Sequence, residues 1–447
     1  MSIPAALSLW SDDPAEADLL SFDAVAHTVT DALLDVTLDP VAIGLSGSWG
    51  SGKTTVLGLV GHELARRSTA EQKVLAVRTD PWRYDPATGA KQSLIADVLA
   101  GLDAEIGDSQ SGASRARELL TRLGKRVDWA KAVKLAATSS LTLQIPDFDK
   151  LVELVKPRQD DTESVRGLEE FHTEFAELVG SKDLSHLKTV VVLVDDLDRC
   201  LPETVVESLE AIRLFLAVPK MSFVIAADEE RVADAIRTRF SSTGQSEDGR
   251  DGRQDPATLY LHKIVQTTIP LPALSHFDTQ AYLLLLQVQA AAKPHLDKLI
   301  ERCAEVRRAG GAVDDIGEIP GLAIEDELAF ASRLTPLLYE KLKGNPRYIK
   351  RFLNDLHVRQ AIAARRGITL NTAVVGKLMA LEALMKTEFK LLLDWFARAE
   401  CATKSTVWKI RRAGPPPAPP PRRPTSLRPS RIPMTVSRPW ALPTRRR

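Results

Sequence analysis

Apolar positions follow two regimes along the chain. Up to about residue 270, short apolar runs alternate with segments of helical period; beyond about 277 the period is helical throughout. The runs Val41–Leu45, Val74–Val77, Thr189–Val194 and Ser222–Ala227 predict strands, and Lys263–Ile269 predicts a last one. Helical stretches separate them, near 22–34, 56–67, 92–102, 166–180, 203–217 and 229–240. Strands alternating with helices predict an α/β fold, a parallel sheet with helices on both faces. The chain then divides into a lead-in over 1–35, a core over 36–106 and 166–272 interrupted by a weakly patterned insertion over 107–165, a helical lid over 273–410, and a tail over 411–447.

Composition changes this picture mainly at the tail. The 447 residues carry 59 basic and 59 acidic side chains, a balance that hides a division. Residues 411–447 hold ten Arg and no Lys, Asp or Glu, so the rest is acidic by ten charges. An acidic body is not a nucleic-acid-binding surface, which leaves nucleic acid to the tail alone. The tail also holds 11 Pro between Pro415 and Pro443, too few apolar groups to pack, and is expected to be disordered. Its abrupt change of composition is also what a shifted reading frame in a GC-rich gene would leave. Three distant cysteines, Cys200, Cys303 and Cys401, form no metal-ligand spacing and suggest a reducing compartment. The acidic N-terminus is unlike a signal peptide, and no run approaches 18 apolar residues. The expectation is a cytoplasmic protein without membrane insertion.

The chemistry starts at Gly47-Ser48-Trp49-Gly50-Ser51-Gly52-Lys53-Thr54, which fits G-x-x-x-x-G-K-[ST] between a strand and a helix. In such a loop the glycines let successive N–H groups face phosphate oxygens at a helix N-terminus. Lys53 would reach the β- and γ-phosphates, the Thr54 hydroxyl would bind Mg²⁺, and Thr55 would follow on the same turn. About 140 residues later the strand 189–194 runs into Asp195-Asp196-Leu197-Asp198-Arg199, the Walker B pattern. Mg²⁺ keeps several waters, so one carboxylate holds it through its shell. A neighbouring carboxylate can orient the attacking water. Asp195 is assigned to the metal and Asp196 to the water, with Asp198 as the rival for the second role. Asp228, at the end of the strand 222–227, either senses the γ-phosphate or caps the next helix. In the lid, Asn345-Pro346 reads as a helix start that puts Arg347, Lys350 and Arg351 on one face. That face either completes the phosphate charge balance or is a solvated basic surface.

Together these motifs resemble the KAP family of P-loop NTPases over roughly residues 15–400. The matching pieces are the loop 47–54 with its Trp49, Asp195 to Cys200, Leu209 to Leu216, Phe223 to Asp228, Tyr260 to Gln266, and Gly344-Asn345-Pro346-Arg347, in that order. Trp82-Arg83-Tyr84 matches a Trp-containing family segment more loosely. The resemblance implies an ATPase of the ASCE division, with a strand between the two motif strands. It gives Arg347 weight as a nucleotide-sensing residue. Many relatives carry transmembrane helices between the motifs. This chain has the insertion without them, as do soluble prokaryotic members resembling phage-exclusion proteins and Qat-type anti-phage ATPases.

The leading expectation is therefore an ATP- and Mg²⁺-dependent hydrolase, a switch or motor subunit that acts on protein partners, alone or as a homo-oligomer, in defence against phage or mobile DNA. The alternative is a P-loop kinase acting on a small molecule or nucleoside. The long path from Lys53 to Asp195 and the second acid after Asp195 favour hydrolysis. A GTPase is disfavoured by the lack of an Asn-Lys-x-Asp guanine reader. A fourth reading is a non-catalytic nucleic-acid binder acting through its tail.

Overall fold

A computed structural model describes residues 9–15, 17–83, 89–107, 114–126, 161–242, 255–291 and 293–410. The expected disorder of 411–447, Tyr84 and most of the insertion lie outside these residues. Five strands form one parallel sheet: β1 (Val41–Ser46), β2 (Lys73–Thr79), β3 (Leu187–Val194), β4 (Met221–Ala227) and β5 (Thr267–Pro270). Their order is β2-β3-β4-β1-β5. β4 lies between β1 and β3, pairing Val41 with Ser222 on one side and Val190 with Met221 on the other. The strand expected between the two motif strands is therefore present, and both motifs leave the same sheet edge. β3 and β4 are buried along nearly their whole length, which is why they read as continuous apolar runs without alternation.

Each face of the sheet carries its own core. On one face α1 (Asp23–Leu34) and α2 (Lys53–Arg67) bury Phe22, Val29, Leu33, Val56, Leu57 and Leu64 against Ile43, Leu45, Leu193 and Val224. The segment read as a lead-in thus supplies part of the core. On the other face lie α3 (Ala90–Gly107), α4 (Ser114–Arg126), α5 (Asp161–Val179), α6 (Pro202–Phe215), α7 (Glu229–Ser242) and α8 (Pro256–Ile264). Phe175 packs edge-on to Phe215 at 4.8 Å, and Phe215 lies 6.3 Å from Phe223 of β4. Such rings contribute about 1–3 kcal/mol each on burial. The described part of the 107–165 stretch is not peripheral: α4 buries Ala116, Leu119 and Leu123 in this same core.

One expected strand is corrected. Residues 263–264 end α8, and only Thr267–Pro270 joins the sheet. Asp255 caps α8 through the amides of Ala257 and Thr258, and Pro256 takes the first helical position, where its missing N–H costs nothing. That start signal outweighs the β-branched content of 264–269.

The helical region is built from α9 (His276–Ala290), α10 (Leu296–Arg308), α11 (Glu325–Leu342), α12 (Pro346–Arg365) and α13 (Thr372–Leu384) around a third core centred on Leu283 to Leu286 and Leu353. Ser275 and Asp278 close a capping box on α9. A second compact unit begins at Met385, and its described part is α14 (Lys386–Ile410). Among the described residues, no helix is long and apolar enough to cross a membrane.

Candidate functional site

β1 delivers the loop 47–52 to the N-terminus of α2. Gly50 and Gly52 hold φ of 83° and 103°, values that L side chains rarely adopt. A Cβ on Gly50 would also lie 2.6 Å from the Arg347 Cβ, so glycine there serves both the turn and a close approach. On Gly52 it would meet the Phe22 ring at 2.7 Å. Lys53, buried, donates from Nζ to the carbonyl of Gly47 at 2.7 Å and approaches Asp198 Oδ2 at 3.3 Å. Ser51 is buried with a hydroxyl that finds no protein partner. Thr55, one residue further along α2, is half-buried.

β3 brings the acids beside this loop. The Thr54 hydroxyl donates to Asp195 Oδ1 at 3.1 Å, and the Asp196 amide donates to the same oxygen at 3.0 Å. Arg78 of β2 donates to the other oxygen, Oδ2, at 2.7 Å. Asp196 sits at φ 53°, in the left-handed region, which turns the chain sharply out of the strand. Its Oδ2 lies 2.9 Å from Arg199 Nη1. Burial first, and then the charge of Asp195, push the Asp196 carboxyl up to about 6. Asp198 keeps one buried oxygen, Oδ1, without a partner. Arg199 in turn rests 5.5 Å from the Trp82 ring centroid. Asp80, near these groups, is also raised, chiefly by burial.

α12 docks its N-terminus on the loop. Asn345 caps the helix by accepting from the amides of Arg347 and Tyr348, and its Nδ2 donates to the Trp49 carbonyl at 2.9 Å. The Arg347 guanidinium lies 4.4 Å from the Trp49 ring centroid and 3.2 Å from Asp12 Oδ2. Its Nε is buried and unpartnered. Of the three cations expected on one face, Arg347 alone stands on the loop. Lys350 turns to the carbonyl of Ser11 at 3.2 Å and Arg351 is exposed; both share the helix face of Arg347 but lie about one turn further along the axis, away from the loop that the first turn touches. Asp228 lines a cavity of about 520 Å³ with Ser46, Gly47, Ser48, Thr258 and Leu261, on the β4 side of the loop.

These features fit a magnesium–nucleotide. The glycine cradle leaves room where Cβ atoms would intrude, Thr54 and Asp195 face each other, and Ser51 Oγ, Asp198 Oδ1 and Arg347 Nε are buried polar atoms in want of partners. Sequence reasoning found every one of these residues but missed Arg78, the pairing of Arg199 with Asp196, and Asp12. The available signal for Arg78 was an arginine at the end of β2, out of step with buried Val77.

Comparison with known proteins identifies the family of the chain. The profile described as the KAP family P-loop domain matches residues 22–363. The chain is 26% identical over 308 residues to the phage T7 exclusion protein of Escherichia coli strain K12, a match covering 60% of this chain and 36% of that one. The chain therefore spans only about a third of that relative's length. Among solved structures, the ORC2 protein of Aeropyrum pernix in ADPNP–ADP complexes aligns with 82% of this chain and 70% of its own, at 13% identity and a TM-score of 0.35.

Proposed function

The chain belongs to the KAP family of P-loop NTPases, and from that premise we propose that it is a magnesium-dependent ATPase, a switch or motor subunit that acts on partner proteins. The observation that carries this reading is the meeting of Lys53, Thr54 and Asp195 on one sheet edge, with Thr54 Oγ1 and Asp195 Oδ1 3.1 Å apart. In this reading the loop amides of 47–52 and Lys53 bind the phosphates, and Lys53 exchanges its present acceptors, Gly47 O and Asp198, for phosphate oxygens. Thr54 and Asp195 hold the metal, which when bound neutralises charge on the phosphates. Asp196 accepts the proton of the attacking water. Asp198, which Lys53 would release on turning to phosphate, is the rival for that role. Asp228 senses the γ-phosphate from the β4 side. Arg347, fixed by a helix start, adds the last positive charge.

A second carboxylate after the metal acid supports water over an acceptor hydroxyl as the nucleophile, and so hydrolysis over a kinase reaction. The absence of a guanine-reading motif supports ATP over GTP. The name of the phage exclusion relative supports a role in defence, with protein partners, self-association and a cytoplasmic setting as the accompanying proposals. Phosphate release from ATP and from GTP by the wild-type protein and by Lys53→Ala tests the core of it. The expected result is ATP-selective turnover that Lys53→Ala abolishes. Equal rates on both nucleotides would remove the ATP assignment, and bound Mg-ATP without turnover would make the chain a binding module.

A further inference from the structure

Each acid at the end of β3 has its own cation: Asp198 has Lys53, Asp196 has Arg199, and Asp195 has Arg78. Two of these cations belong to the motifs themselves. Arg78 comes from outside both, from a strand with no expected part in the chemistry. Its position follows from the strand's period. Val74 packs in the core shared with α2 and Val77 in the core of the opposite face, so Arg78 stands on the α2 side, where Thr54 begins its helix. β2 pairs in register with β3, Arg78 beside Leu193 and Thr79 beside Val194, and the Asp195 amide continues the ladder by donating to the Thr79 carbonyl at 3.0 Å. The register thereby places the Arg78 backbone within reach of the carboxylate, which the guanidinium contacts at 2.7 Å.

The two partners differ sharply in exposure. The Asp195 side chain is 4% exposed and that of Arg78 49%. A buried carboxylate needs a counter-charge, whereas a half-exposed arginine can leave for water at little cost. The oxygens of Asp195 are also divided. Oδ1 takes the Thr54 hydroxyl and the Asp196 amide, and Oδ2 takes Arg78. Thr54 can keep donating its hydroxyl proton while its oxygen lone pair turns to a metal. Oδ2 is then the oxygen left to receive the metal's water shell, and it is the one that Arg78 addresses.

We propose that Arg78 is the resident counter-ion of Asp195 and competes with the divalent cation for it, so that it sets the concentration of Mg²⁺ at which nucleotide is held. This rests on the nucleotide reading of the site. It adds to that reading a residue outside both motifs that tunes metal affinity. Removing one positive charge at hydrogen-bond distance from a metal-binding carboxylate should strengthen divalent binding on the order of tenfold. Removing a positive charge near a site for a polyanion should leave metal-free nucleotide binding weaker or unchanged.

The test is a titration with Mg²⁺ of the binding of a fluorescent ATP analogue to the full chain, with metal-free binding measured in chelator. Wild type, Arg78→Lys and Arg78→Gln are compared. The expected result is a Mg²⁺ midpoint on the order of tenfold lower in Arg78→Gln and close to wild type in Arg78→Lys, which keeps the charge. In an Asp195→Asn background, where there is no charge to compete for, Arg78→Gln should shift nothing. A merely structural arginine would change the melting temperature and weaken binding with and without metal alike. Arg78→Met serves as the neutral variant if Gln prevents folding. A midpoint that is unchanged or raised in the neutral variant overturns the proposal while leaving the nucleotide site standing. A wild-type chain that binds no analogue removes both.

Discussion

At the scale of single residues, the three acids after β3 are close in sequence and unlike in surroundings, and this allows their roles to be separated. Lys53→Ala removes the one long cation of the loop and leaves Asp198 buried without its partner. We expect turnover to vanish and the melting temperature to fall as well, since an orphaned buried charge is costly. Asp196→Asn should keep Mg-ATP binding and lose turnover; normal turnover in that variant with a dead Asp198→Asn would move the water-activating role to Asp198. The Asp196 carboxyl, raised to about 6 by burial and by Asp195, must be ionised to accept a proton. Turnover should therefore fall as pH drops through about 6, and a rate flat from pH 5 to 8 would speak against Asp196 as the base. For Arg347→Ala the expectation is a loss on the order of 10³-fold in rate with nucleotide still bound. Its Asp12 pair is partly solvated and adds little to stability, so the rate is the readout that distinguishes a sensing arginine from a surface one.

At the scale of elements, helix starts do most of the positioning. Asn345 performs two tasks with one side chain: its oxygen caps α12 and its amide nitrogen holds the Trp49 carbonyl. Asn345→Ala should cost about 1 kcal/mol as a lost cap. Asn345→Asp keeps the cap, loses the donor to Trp49, and brings a negative charge to the phosphate loop. Melting curves should therefore separate the Ala variant from wild type more than the Asp variant, while nucleotide affinity should fall further in Asp than in Ala. Both variants lose the donor to Trp49, so wild-type nucleotide affinity in both would show that this bond is incidental. The start of α8 offers a similar contrast under acid. Arg237 and the Thr258 hydroxyl lower the Asp255 carboxyl from 3.8 to about 2. A depressed carboxyl contributes stability above its unfolded pKa and loses it as pH falls toward 2. Asp255→Asn should thus unfold at a pH dependence shallower than wild type between 4 and 2, as followed by circular dichroism. This cap also explains why 263–264 is helical: β-branched residues mark a strand only when no stronger local signal claims them.

At the scale of the molecule, three cores share the work. Two sandwich the sheet and the third supports the helical region that brings Arg347 to the loop. Met385 begins a separate unit, and the residues before it hold all three cores. A chain ending at Leu384 should consequently unfold in one cooperative step, within a few degrees of the full chain, and bind nucleotide equally. A fragment that aggregates or melts far lower would show that the first unit depends on the second for its stability.

The sequence by itself determined the sheet, its helices and the residues of the two motifs, because these rest on local physics. Apolar runs long enough to be buried on both faces, glycines at turns with positive φ, and Asn-Pro at a helix start each act within a few residues of themselves. It likewise determined that Arg347 leaves a first helical turn. Only the tertiary structure decided what each charge meets. Arg78 and Asp195 are 117 positions apart and are joined by the register of two parallel strands. Asn345 and Trp49 are 296 apart and are joined by the docking of a helix onto a loop. The lead-in and α4 entered the core for the same reason. A short amphipathic helix states that it has an apolar face but not which surface will cover it. Pairing across such distances depends on the packing of whole layers, and no local pattern carries that.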